Sequence, residues 1–141
     1  MTRLRILVLF VMTASLLSAA SLAFGATSTA SQHGFSFKEY EKFHDVLHPL
    51  EHDALPKKDY RRIRSQANLL VKRGNAIIKL GAPSGTSEDK KEEFAKELDS
   101  FRKALAKFKA DARTGTNSQL KASYSAVHDT FEMLAAMLPR S

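Results

Sequence analysis

Apolar residues recur along most of this chain at steps of three and four, the spacing that lines one face of an α-helix. Phe37, Tyr40, Phe43, Leu47, Leu50 and Ala54 draw the first such stripe and predict a helix over about Ser36 to Ala54. Pro49 lies inside it, where its missing N–H removes the bond to the carbonyl of Asp45, so a kink is expected. Leu55-Pro56-Lys57-Lys58 reads as a turn, because a proline biases the residue before it away from helical angles. A second helix starts near Asp59 and carries Tyr60, Ile63, Ala67, Leu70, Gly74 and Ile77, until Gly81-Ala82-Pro83-Ser84-Gly85 stops it. Thr86 or Ser87 caps a third helix, with Glu88 and Asp89 in its first turn, where the helix dipole favours acids. Phe94, Leu98, Phe101, Leu105, Phe108 and Ala112 form its stripe. After Thr114-Gly115, Thr116 and Gln119 spell a capping box, and Leu120, Tyr124, Val127, Phe131, Leu134 and Leu138 line a last helix that ends before Pro139. Four amphipathic helices of similar length with short turns and no strand pattern predict an all-α fold, an antiparallel up-down-up-down four-helix bundle over residues 36–139.

The polar side of the first stripe holds the chain's most informative pattern. Phe43-His44-Asp45-Val46-Leu47-His48-Pro49-Leu50-Glu51-His52 places His44, His48 and His52 at successive four-residue steps, a ladder of imidazoles on one helical face. Adjacent rungs can chelate one ion, whereas the outer rungs are ~12 Å apart along the axis at about 1.5 Å per residue. At 100° per residue, His44 lies ~60° and His48 ~100° from Leu47, so both flank the apolar stripe, and His52 is turned further out. On the last helix His128 flanks Val127 in the same sense. In an antiparallel bundle His44 and His128 lie ~15 and ~16 Å from the same end. His44, His48 and His128 therefore converge if the handedness of the bundle brings their two edges together, and Glu51, Asp45 or Glu132 can add an oxygen.

Composition sets the address. Arg3 and Arg5, an apolar run from Ile6 to Leu22 and the small residues of Ala23-Phe24-Gly25 read as a secretory signal peptide over residues 1–25, cut near Ala26. An uncleaved anchor is the alternative, although the apolar run is short for a spanning helix. Cleavage leaves 116 of the 141 residues, one domain with a modest core, with no stable membrane insertion expected. Residues 26–35, rich in Ser, Thr and Ala and including His33, read as a flexible leader. The chain has no cysteine, which removes disulfides, thiolate metal sites, thiol nucleophiles and thioether-linked haem. Export without disulfides points to a periplasmic or secreted bacterial protein. The formal charge of +7 falls to +5 without the two signal arginines. Bases and acids are interspersed, as in Glu88-Asp89-Lys90-Lys91-Glu92-Glu93, which predicts a solvated surface. The one basic cluster, Lys57 and Lys58 with Arg61, Arg62 and Arg64, offers a place to meet an anionic surface, and no nucleic-acid motif accompanies it.

Tyr124-Ser125-Ala126-Val127-His128-Asp129-Thr130-Phe131 resembles the haem-attachment segment of the cytochrome c-prime family, in which two cysteines precede His-Asp-x-aromatic on the last helix of an exported four-helix bundle. The resemblance implies that His128 corresponds to the axial iron ligand. Tyr124 and Val127 stand at the cysteine positions, so covalent haem attachment is excluded. The layout is also similar to cytochrome b562, where ligands on the first and last helices hold haem without thioethers. Here the first helix offers histidines for that purpose.

Four chemistries follow. His48-Pro49-Leu50-Glu51-His52 fits H-x-x-E-H, a zinc-hydrolase pattern, but a proline inside it and a bundle too small for a substrate cleft argue against an enzyme. A transition-metal ion, Zn, Cu, Ni or Co, held by His44, His48 and His128 with His52 and Glu51 nearby, would make a carrier, buffer or sensor. Noncovalent haem b on His128 and a first-helix histidine needs a gap in the core, which the many phenylalanines would fill. The remaining alternative is a ligand-free structural or interaction bundle whose histidines are edge residues, with a homodimer left open in every case.

Overall fold

The computed structural model describes residues 35–139. Helices α1 (Lys38–Pro49), α2 (Tyr60–Leu80), α3 (Glu88–Thr114) and α4 (Asn117–Ala136) carry the chain, with a π-helical turn, Leu50–Ala54, running on from α1. No strand occurs among the described residues. The all-α, four-helix expectation holds. The signal segment 1–25 and the leader as far as Gly34 lie outside the described residues. Phe35, read as the end of the leader, instead packs on Tyr40 and Phe131 with ring centroids 6.3 and 5.8 Å away, because an aromatic ring at that point covers apolar surface.

Pro49 takes effect where the sequence places it, in the form of a widened turn. Leu55 N–H bonds the Leu50 carbonyl and Asp59 N–H bonds the Ala54 carbonyl, each at 2.9 Å and each five residues back. A proline cannot donate to the ladder, and a π-helical turn is one way to re-satisfy the carbonyls around the break. Ser87 stands at the N-cap of α3 without a side-chain capping bond, whereas both ends of α2 and the start of α4 follow their local chemistry. The Asp59 carboxylate accepts from Arg62 N–H at 3.0 Å, capping α2, and Gly81 takes φ +70 to end it. Both halves of the Thr116–Gln119 capping box form, at 2.8 and 3.2 Å.

The four stripes make the core. Each stripe residue is buried, apart from Phe37, Tyr60, Ala112 and Leu138 at the stripe ends, which are half-buried. Phe43 joins three helices, its ring 5.4 Å from Phe101 of α3 and 4.7 Å from Phe131 of α4. A second tie between α1 and α4 is polar: the buried Tyr124 hydroxyl donates to the Leu47 carbonyl at 2.9 Å. Successive helices pack on one another along the chain, α1 with α2, α2 with α3 and α3 with α4. The packing turns the edge of α1 that carries Val46 and Leu50 toward α2, where Pro49, Leu50, Arg62 and Leu69 share a small pocket. The opposite edge, which carries the histidines, is left beside α4.

Candidate functional site

Helical periodicity brings His44, His48 and His52 into one row, and the π-helical turn keeps the last rung aligned with the others. Ring centroids are 5.1 Å apart between His44 and His48, and 4.3 Å between His48 and His52. An ion about 2.0–2.1 Å from each nitrogen holds two neighbouring imidazole centroids roughly 4.5–5 Å apart, so the two steps lie just above and just below that spacing, within reach of a side-chain adjustment. His48 belongs to both pairs. The row lines an open groove of about 530 Å³ with Phe35 and with Glu132, Ala135 and Ala136 of α4. Phe35 packs on His44 with its ring tilted, centroids 5.4 Å apart, and Phe131 approaches the same ring at 6.4 Å, so His44 has the most aromatic packing of the three rungs. His52 is exposed and His44 and His48 are half-buried.

Charge is unevenly divided along the chain. Residues 36–54 carry two lysines (Lys38, Lys42) and five acids (Glu39, Glu41, Asp45, Glu51, Asp53), a net −3 within a chain of +7. Glu132 adds a carboxylate across the groove. Of the five acids, Asp53 pairs with Lys57 and Arg62 and Asp45 lines the pocket on the α2 side, so Glu132 is the carboxylate that lines the groove itself.

The other expected ligands lie elsewhere. His128 does not line this groove; its Nδ1 sits 3.2 Å from Asp129 Oδ1, on its own helix, and its side chain is 31% exposed. Among the described residues no three His, Asp or Glu side chains gather closely enough to hold an ion together. Glu51 faces inward. Burial, and then the Glu51 carboxylate beside it, push the Tyr124 hydroxyl above the usual tyrosine range. Glu51 Oε2 is itself buried without a hydrogen-bond partner. Tyr124 and Val127, which the cytochrome c-prime resemblance would set at the cysteine positions, are fully buried core residues. Sequence reasoning missed Phe35, whose part in the groove has no periodic signal because it precedes α1.

Comparison of the chain with models of protein families, with curated proteins and with solved structures finds no match.

Proposed function

We propose that this protein is an exported, non-enzymatic helical bundle that binds a divalent transition-metal ion on the histidine row of α1, as a carrier, buffer or sensor. The observation that carries the reading is the row itself: two imidazole pairs close to chelating distance, sharing His48, along an open groove beside Glu132. Imidazole donors without thiolate suit Zn, Cu(II), Ni or Co. Glu132, which lines the same groove, is the oxygen donor assigned to the ion in this reading. In this reading the helices close as an antiparallel up-down-up-down bundle, a topology favoured by the short connections and by the Tyr124 to Leu47 tie. The basic start and apolar run of residues 1–25 support export to the periplasm or beyond.

The tightly packed aromatic core, with Phe43 wedged between Phe101 and Phe131, weighs against the haem-b alternative, as do the core residues at both cysteine positions. Calorimetric titration of the purified protein with Zn, Cu(II), Ni and Co tests the proposal. His48→Ala should weaken binding by roughly tenfold or more, since removing even an outer partner of a metal site costs about 10–100-fold. His128→Ala should bind like wild type. Loss of affinity in His128→Ala with none in His48→Ala would move the site to α4, and a wild-type protein that takes up no ion would leave the ligand-free bundle.

A further inference from the structure

Building on the reading of the row as a metal site, we infer that the ion is shared between two copies of this chain. Each ion takes His44 and His48 from one copy and the partner subunit's His52 from the other. The row is symmetric about its centre: His44 and His52 stand four residues to either side of His48. A twofold axis passing at His48, perpendicular to α1, sets two α1 helices antiparallel and places His44 opposite the partner subunit's His52. The row is thus complementary to itself, as a twofold contact requires.

The surface is also open to such a contact. The rings stand along the mouth of the groove, and its far wall, Ala135 and Ala136, is made of small residues that allow a second helix to approach. Coordination chemistry supplies the need for it. A closed zinc site takes four ligands, one pair on one helix fills two, and a third imidazole with Glu132 or water completes the shell. Charge makes the contact conditional. The two rows bring imidazoles and Glu132 to the contact and no opposite charge, so the ion supplies the link and metal and assembly are coupled.

The test is sedimentation of the purified protein at one equivalent of zinc, run beside calorimetry on the same samples. The expected result is a doubled mass with one zinc per chain, returning to the monomer mass on adding EDTA. His44→Ala and His52→Ala, each checked for unchanged helical circular dichroism, should each stay monomeric alone, because every shared site then lacks a ligand. Mixed in equal amounts they should form a dimer with one zinc per two chains, because one of the two sites in the mixed pair regains all three imidazoles. Zinc bound at unchanged monomer mass would overturn the sharing while leaving the metal reading in place. A mixture of the two variants that stays monomeric would overturn it as well. Absence of zinc binding in wild type would overturn both.

Discussion

Asp111 shows how far a single residue can depart from what its neighbours in the chain announce. Within the run Lys107-Phe108-Lys109-Ala110-Asp111 it reads as one more charge on a solvated face, yet it is buried against α4. The Lys107 ammonium, 3.0 Å away, and then the Ser123 hydroxyl hold its carboxyl below the usual aspartate range. Asp53, beside Lys57 and Arg62, and Asp99, beside Lys103 and Arg102, are held low in the same way. A carboxylate whose folded pKa is depressed contributes stability that is present above its unfolded value, near 3.9, and is lost as pH falls through the folded value. The protein should therefore lose stability as pH drops below about 4. Asp111→Asn should be less stable at neutral pH, and its stability should change less over the acid range, when urea midpoints are compared from pH 7 to pH 2. Equal slopes for the two proteins would remove Asp111 from the acid response. The sequence could show that position 111 carries an acid. It could not show that Ser123 lies across the helix interface, because that pairing depends on how α3 and α4 rotate against each other.

At the scale of elements, stripes, caps and terminators were legible because they are local: Asp59, Gly81 and the Thr116–Gln119 box act within one turn of where they stand. What crosses between elements was not. The basic cluster at 57–64 reads as a surface for anions, but much of it is paired with groups of the chain itself. Lys57 and Arg62 pair with Asp53, and Arg64 reaches the end of α3. There its guanidinium donates to the carbonyls of Asp111 and Ala112 at 2.9 Å, to that of Gly115 at 2.7 Å and to Asn117 Oδ1 at 3.2 Å. It thereby caps the negative end of one helix and fixes the turn into the next. Gly115 is required at that turn, since a Cβ there would lie 2.8 Å from Asp111 Cα. Arg64→Ala should lower stability by about 1.5–3 kcal/mol, the range for hydrogen bonds to a charged group. Arg64→Lys should restore little, because a single ammonium cannot span the fork of acceptors. Chemical unfolding of the two variants checks this, and full recovery by lysine would reduce the role of Arg64 to its charge. The Pro49 break belongs to the same scale. Its position was readable from sequence, whereas the π-helical form depends on which carbonyls the following residues can reach.

Across the whole molecule, charge is divided in a way that the chain total conceals. Residues 36–54 hold −3, so the rest of the chain carries +10 to reach +7. Part of that −3 is balanced within the fold, where Asp53 pairs with Lys57 and Arg62, so an ion on the histidine row acts mainly through its coordination bonds. Metal binding to the folded chain must then appear as stability by mass action. At a free ion concentration about one hundred times the Kd, the gain is about 2.7 kcal/mol, less any affinity of the unfolded chain's histidines for the same ion. For a domain near one hundred residues, each kcal/mol moves Tm by about 4–8 °C, so saturating metal should raise it by roughly 10 °C or more. The ionic strength added with the metal salt is too small to screen charges at groove distances, so a matched concentration of magnesium, a hard ion that imidazole binds poorly, serves as the control and should leave Tm in place. His128→Ala should keep the shift and His48→Ala should lose it, since only His48 belongs to both chelating pairs. The shift should also fade at acid pH, where protons compete for the imidazole nitrogens. A shift that survives in His48→Ala would mean that the acids bind the ion without the row. The three-rung spacing would then be a consequence of the groove's polar edge and not the reason for it.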